Sequence, residues 1–180
     1  MTTTEIHSRF HDLLRAQVGH EFTASQQYVA IAVWFDTNDL PQLARRFYAQ
    51  ASEERSHAMM MIQYLIDKDV KVAVPGVGDV VGEFAKVAEP VELALAQEKT
   101  VTEQITDLAR TAREDGDYIG EQFIQWFLSE QVEEVASMRS LLNIVHRAGG
   151  QLFDVEEYVA RETSARVNRT TNPPKEAGAL

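Results

Sequence analysis

The sequence contains no cysteine among its 180 residues. This absence excludes disulfides, thiolate metal sites and cysteine nucleophiles. Long apolar runs are also missing, since none reaches the roughly 18 residues that a membrane-spanning helix needs. The first residues, "MTTTEIHSRFHDLL", lack the basic segment followed by an apolar one that marks a secretory signal. We therefore expect a cytoplasmic protein that does not enter a membrane.

Basic residues are scarce relative to acidic ones. The chain has 17 Lys and Arg against 28 Asp and Glu, and its net charge is −11. A surface of this sign repels nucleic acid and attracts cations. Solubility alone is the alternative explanation of the charge, so composition predicts no nucleic-acid partner but does not identify a cation site.

Proline and glycine are few, at 5 and 9 residues, and they separate four long segments with helical periodicity. We predict helices over about 6–35, from the breaker "DTNDLPQ" to about 67, over 90–114 and over 117–148. In the breaker, Asn38 or Asp39 can cap the second helix, and Pro41 can occupy its first turn. Gly149 and Gly150 end the fourth helix.

The link between the second and third helices is long and contains Pro75, Gly76, Gly78 and Gly82. About 20 extended residues reach some 65 Å, which exceeds the roughly 42 Å of a 28-residue helix. This link can therefore cross the whole length of a bundle, whereas the other two links are short. The predicted fold is all-α, a four-helix bundle with one long crossover between the second and third helices.

The stretch "LFDVEEYVARE" predicts a short fifth helix. We expect residues 1–163 to form the bundle together with this helix. The remaining residues, 164–180, are polar and contain proline, which favours a disordered tail.

Each helix has a core-facing stripe that is apolar at both ends and carries a carboxylate near its middle. The central residues are Glu21, Glu54, Glu98 and Glu134, with His57 three positions after Glu54. A single such glutamate is usually a stripe-edge residue or a salt-bridge partner. Four at one level, with no Lys or Arg on the stripes to neutralise them, would cost several kcal/mol each unless metal ions bind them.

The spacing of these residues repeats along the chain. Glu21 and Glu54 are 33 residues apart, and so are Glu98 and Gln131. Glu134 follows Gln131 by three positions, as His57 follows Glu54. The repeat supports two similar halves that meet at a central site, although a match of so few positions can arise by chance.

Carboxylates with one imidazole suit iron or manganese better than a soft metal. Di-iron carboxylate bundles use one Glu from each of two helices and a Glu-x-x-His motif from each of the other two. Here Gln131 and Glu134 replace the glutamate and histidine of the second motif, so the two metal positions should differ. The predicted ligands are Glu21, Glu54 and His57 at the first position, and Glu54 as a bridge with Glu98 and Glu134 at the second.

The chain resembles the ferritins, in particular the bacterial non-haem ferritins of the actinobacterial type. The resemblance rests on "GHEFTASQQYVAIAVWF", "QASEERSHAMMMIQYL", "ALAQEKTV" and "GEQFIQWFLSEQVEEV". It implies a ferroxidase centre with the two ligand sets just given and with Gln131 nearby. It also implies that Tyr28 lies beside the centre, where the alternative is a core aromatic residue.

The resemblance further implies a third iron position formed by Glu53, Glu130 and Glu133 together with Glu134, or else a solvated acidic face. Haem is disfavoured, because Arg55 stands where bacterioferritins have their haem-binding methionine. Asp117 and Glu121 are candidates for a pore, although acidic residues also favour the start of a helix.

The implied function is iron storage and detoxification in a hollow shell of 24 identical subunits. Each subunit would oxidise Fe(II) to Fe(III) with dioxygen or hydrogen peroxide and deposit ferric oxyhydroxide inside the shell. Two alternatives remain open. One is another di-iron carboxylate oxidase or peroxidase of the ferritin-like class, and the other is a non-catalytic shell whose acidic groups only nucleate mineral.

Overall fold

The computed structural model describes residues 8–166 and 172–179. These residues form five helices and no strand, which confirms the predicted all-α bundle with a short fifth helix. The helices are α1 (Arg9–Thr37), α2 (Pro41–Asp67), α3 (Ala88–Glu114), α4 (Tyr118–Ala148) and α5 (Leu152–Arg166). Across the described parts of the chain, none of them is both long enough and apolar enough to span a bilayer.

Side chains close to the helices cap two of the long elements. The Ser8 hydroxyl accepts from the N–H of His11 at the start of α1, and the Asp117 carboxylate accepts from the N–H of Gly120 at the start of α4. Helix α4 ends at Gly149, whose φ of 55° is a left-handed conformation that glycine adopts without steric cost. The predicted end of this helix is therefore confirmed.

The prediction that Asn38 or Asp39 caps α2 is wrong. Leu40 occupies the N-cap position and makes no side-chain hydrogen bond there. Asn38 instead donates to the carbonyl of Trp34 at the end of α1, at 2.7 Å. Since Pro41 has no N–H, the open donors of the first turn begin one residue later.

A carboxylate from α5 satisfies those donors. The N–H groups of Gln42 and Leu43 donate to the two oxygens of Glu156, at 2.8 and 2.9 Å. Helix α5 is anchored further by Val155 and Val159, which are fully buried. The fifth helix therefore packs on its own bundle and completes the start of α2.

The crossover, residues 68–87, is held against α1 by side chains of that helix. The Gln27 amide donates to the carbonyl of Val81 at 2.7 Å and accepts from its N–H at 2.8 Å. The Thr23 hydroxyl accepts from the N–H of Gly78 at 3.0 Å. The long connection thus has fixed hydrogen-bond partners although it has no regular structure.

The C-terminal segment is described only in part. Residues 167–171 and 180 lie outside the described residues, and α5 runs to Arg166, beyond the predicted domain boundary at 163. Within 172–179, the N–H of Ala177 donates to the carbonyl of Met59 on α2, at 3.1 Å. A disordered tail over 164–180 stays a prediction.

The interior has two apolar clusters with a polar layer between them. One cluster packs around Phe35, Phe47 and Leu141 and includes the buried face of α5. The other packs around Phe10, Leu65 and Ile105 at the opposite end of the bundle. The polar layer therefore lies about halfway along the four long helices, as the stripes predict.

Candidate metal centre

Six polar side chains from the four long helices are buried in this middle layer. They are Glu21, Glu54, His57, Glu98, Gln131 and Glu134, and each is between 1% and 4% exposed. Ligand atoms in a dry interior attract cations strongly, because little water is present to screen their charge. The layer therefore has the burial and the charge that a metal centre requires.

Glu21, Glu54 and His57 form the first ligand group of the layer. One potential ligand atom from each of the three lies within 4.8 Å of the others. His57 Nδ1 is 3.2 Å from Glu54 Oε2 and 3.9 Å from Glu21 Oε2. Glu21 Oε2 is buried and has no hydrogen-bond partner. An unsatisfied buried carboxylate oxygen is costly, and a metal ion bound by this group would satisfy it.

Burial changes the protonation of this group. Desolvation, followed by the charge of Glu54, raises the pKa of Glu21 well above its ordinary value. Desolvation and the charge of Glu98 raise the pKa of Glu54 in the same direction. The carboxyl groups therefore hold protons that a divalent cation must displace when it binds.

Aromatic side chains of α4 orient the imidazole of His57. The rings of Trp126 and Phe127 meet it nearly edge to face, each with ring centroids 5.6 Å apart. Because these contacts fix the plane of the imidazole, His57 is placed in the first ligand group without a large loss of side-chain entropy on binding.

Glu98 lies outside the first ligand group and has its own hydrogen-bond partners. The Tyr28 hydroxyl donates to its Oε1, and the Gln131 amide donates to its Oε2 at 3.2 Å. Burial raises the pKa of Glu98 to about 7, and the bond from Tyr28 opposes that rise. Tyr28 thus lies beside the centre, while Gln131 acts here as a donor to Glu98.

Glu134 belongs to a second ligand group, with Glu53 and Glu130, whose ligand oxygens lie within 4.8 Å of one another. Unlike Glu134, Glu53 and Glu130 are only half-buried, so the group connects the interior of the bundle with its surface. Glu133, which the resemblance to bacterial ferritins assigns to the same iron position, is exposed and is not in the group.

Sequence reasoning gave no role to two buried amides, Gln17 and Gln50. The Gln17 amide donates to Glu21 Oε1 at 2.8 Å, and the Gln50 amide donates to Glu134 Oε2 at 3.0 Å. Both are 2% exposed. Their signal in the sequence is their position one helical turn before a ligand glutamate, on the same face of the helix.

One arginine is buried near the layer but does not neutralise it. Arg46 donates to the Ser137 hydroxyl at 2.6 Å and to the Glu162 carboxylate, also at 2.6 Å. Its charge is therefore directed toward α5. The charge of the carboxylates in the layer is therefore available for neutralisation by protons or by bound cations.

The two candidate pore residues, Asp117 and Glu121, lie at the start of α4. Asp117 is the N-cap and Glu121 accepts from Arg113 Nε at 2.9 Å. Both acidic residues therefore have partners within this chain. Their role in a pore stays a prediction.

Comparison with known proteins identifies the family of this bundle. A family model described as a ferritin-like domain matches residues 11–148. Ferritin BfrB of Mycolicibacterium smegmatis is 57% identical over 173 residues, which make up 96% of this chain and 96% of that protein. The chain belongs to the ferritin family.

Other relatives of this ferritin agree with that assignment. Ferritin BfrB of Mycobacterium tuberculosis is 51% identical over 173 residues, with 96% of each chain covered. The bacterial non-heme ferritin of Staphylococcus saprophyticus is 35% identical over 138 residues, covering 77% of this chain and 83% of that one. The predicted resemblance to bacterial ferritins is confirmed.

Solved structures show the same fold. A humanized archaeal ferritin superposes with a TM-score of 0.84 at 22% identity, covering 93% of this ferritin and 100% of that chain. The open pore ferritin from Archaeoglobus fulgidus has a TM-score of 0.83 at 24% identity, with 87% and 97% covered. At these identities the likeness establishes the architecture alone.

Proposed function

We propose that this ferritin binds ferrous ions in pairs in the middle layer of each subunit, oxidises them there and stores the ferric product as mineral. Iron storage is the function of the family to which the chain belongs. The observation that carries the proposal is the buried Glu21, Glu54 and His57 group, in which one carboxylate oxygen has no protein partner.

The two positions of the pair would have different ligands. Glu21, Glu54 and His57 would hold the first ion. Glu54, shared with the first, would hold the second together with Glu98 and Glu134. The second set has no imidazole and its Glu98 is engaged by Tyr28 and Gln131, so it should bind more weakly. A weakly held ion suits a site whose substrate must leave after oxidation.

The protein contributes charge, position and proton release to the reaction. Two ferrous ions supply two electrons, which reduce dioxygen to hydrogen peroxide with two protons, or reduce peroxide to water. The raised pKa values of Glu21, Glu54 and Glu98 mean that these carboxyl groups release protons when cations bind. The Tyr28 hydroxyl keeps Glu98 oriented toward the pair, and its burial raises its own pKa well above 10.

The ferric product would leave through the second ligand group. Glu53, Glu130 and Glu134 give it carboxylate ligands between the buried centre and the subunit surface, and the exposed Glu133 extends this acidic path. Hard oxygen ligands suit Fe(III). We therefore propose this group as a third, transient iron position.

We propose a shell of 24 copies in the cytoplasm, as the resemblance implies. The net charge of −11 supports a cation-attracting assembly without a nucleic-acid partner. The mineral would then form in a cavity lined by many subunits.

Replacement of Glu54 or His57 by Ala tests the proposed centre. Loss of a ligand should slow the initial oxidation of Fe(II) by about 100-fold or more. Even the loss of a residue that only hydrogen-bonds a ligand costs about 10- to 100-fold in metal affinity or activity. His146, about half exposed and paired with Glu92 on the surface, gives the matched control His146→Ala. Oxidation at the wild-type rate by assembled E54A and H57A would disprove the centre.

A further inference from the structure

Two side-chain bridges join α2 and α4 across the polar layer. Arg46 donates to Ser137 at 2.6 Å, and one turn later Gln50 donates to Glu134 at 3.0 Å. Four residues forward on α2 correspond to three residues back on α4, as expected for antiparallel helices. The second bridge thus connects directly to a predicted iron ligand.

Glu134 lies between the buried centre and the second ligand group, the outer acidic group of Glu53, Glu130 and Glu134. Its ligand oxygen lies within 4.8 Å of those of Glu53 and Glu130. Its charge also contributes to the raised pKa values of Glu54 and Glu98, so it lies close to the centre as well. A carboxylate in this position can serve an ion on either side when it turns about its side-chain bonds.

Gln50 fixes the orientation of that carboxylate without neutralising it. Its amide is buried and uncharged, and it donates to Glu134 Oε2. Arg46, one turn away, could neutralise the carboxylate, but Ser137 and Glu162 bind its guanidinium. Gln50 therefore holds one oxygen of Glu134 in place without supplying a positive charge.

We propose that Gln50 is a positioning residue that holds Glu134 toward the outer acidic group and so promotes the passage of iron out of the centre. The inference rests on the proposed ferroxidase function. When the amide is lost, Glu134 turns into the centre and the outer group loses a ligand. Iron then leaves the centre more slowly, so a longer time passes before the centre can bind the next pair of ferrous ions.

The direct test is the binding of Zn²⁺, which is not oxidised. Gln50→Met and Gln50→Leu keep much of the side-chain volume and remove the donor. Crystals of the metal-free assembled protein are soaked with Zn²⁺, and the anomalous signal at the zinc edge is measured for each position. We expect zinc in the centre of the wild type and of both Gln50 variants. The zinc occupancy of the outer group should be at least about five-fold lower in the variants, in line with the effect of residues that hydrogen-bond a metal ligand.

Gln17→Leu is the matched control, because Gln17 is equally buried and donates to Glu21 on the opposite side of the centre. Its loss should weaken zinc in the first ligand group and leave the outer group occupied. If both Gln50 variants keep outer zinc and the wild-type orientation of Glu134, the proposed role of Gln50 is wrong. Absence of outer zinc from the wild type also refutes it.

Repeated oxidation gives an independent readout. Two equal additions of Fe(II) are made seconds apart, and the second initial rate is divided by the first. This ratio should fall about ten-fold in the Gln50 variants, whereas Gln17→Leu should slow both additions alike. An unchanged ratio would contradict the Gln50 proposal alone, while no zinc in the centre of the wild type would contradict the proposed function itself.

Discussion

The Tyr28 hydroxyl on α1 donates a hydrogen bond to the Glu98 carboxylate on α3, and the two residues are separated by 70 positions in the chain. Both side chains are almost completely buried. Burial raises the pKa of Glu98 to about 7, and the hydrogen bond, which favours the ionised carboxylate, limits that rise. One phenol thus influences the pH at which the second predicted metal position becomes available.

Removal of this phenol should shift metal binding to higher pH. In Tyr28→Phe the pKa of Glu98 rises further, by about one to two units, since a hydrogen bond to a charged group contributes roughly 1.5–3 kcal/mol. Titration calorimetry with Zn²⁺ is run from pH 5 to 8. The pH at which Zn²⁺ affinity is half-maximal should move upward by a similar amount. Tyr48→Phe, which removes an exposed hydroxyl, should leave the midpoint in place.

The metal-free protein should lose thermal stability as the pH rises from about 4.5 to above 7. The folded pKa of Glu98 is about 7 against an ordinary value of 4.5, so the folded state binds the proton more tightly. Its contribution, about 3 kcal/mol per chain, is full below pH 4.5 and is lost as the pH passes 7. Glu21 and Glu54 act in the same direction.

Scanning calorimetry of the chelator-treated protein checks this prediction. Glu98→Gln cannot ionise at this position and should reduce the fall in Tm between pH 5 and 8. Saturating Zn²⁺ should stabilise the protein more at pH 8 than at pH 5, because cations bind the ionised carboxylates. A metal-free Tm that increases steadily over this range would contradict the raised pKa values.

Tryptophan fluorescence should report binding at the first ligand group through only one of the two tryptophans. Trp126 packs edge to face on His57, whereas Trp34 packs on Phe35 and Phe84 in the cluster nearer α5. Co²⁺ quenches nearby indoles, so Trp34→Phe should keep the quenching and Trp126→Phe should lose most of it. Equal quenching of both variants would place the bound ion elsewhere.

The carboxylate of Glu156 should contribute more to the stability of the fold than the carboxylate of Glu157. Glu156→Ala leaves the N–H groups of Gln42 and Leu43 without their acceptor, which should cost about 1–2 kcal/mol in the free energy of unfolding. Glu157→Ala removes only an exposed pair with Arg161, worth about 0.3–0.5 kcal/mol. Urea denaturation of the two variants compares them directly, and equal midpoints would argue against the long-range cap.

Helical periodicity was enough to predict the bundle and its middle layer. The carboxylates placed at the middle of the inner stripes, Glu21, Glu54, Glu98 and Glu134, are buried, and they fall between the two apolar clusters. The physical reason is that a 3.6-residue period fixes one face of each helix, and four such faces must meet in a common core. Which residues share a level therefore follows from the sequence.

Contacts between distant segments could not be predicted in this way. The α2 cap was assigned to Asn38 or Asp39 because those residues are local, while the acceptor is Glu156 on another helix. Gln50 was overlooked because a glutamine in a helix has no distinctive pattern until its partner Glu134 is known. Side-chain direction, rather than helix position, decides such contacts.

The dependence of α2 on Glu156 has a consequence for how the protein is made. A ribosome synthesises the chain from its N-terminus, so the first turn of α2 emerges long before the Glu156 carboxylate that caps it. Until α5 has left the exit tunnel, the N–H groups of Gln42 and Leu43 lack their acceptor, and the first turn of α2 can fray. A newly made chain therefore completes this end of the bundle only when its synthesis is nearly finished.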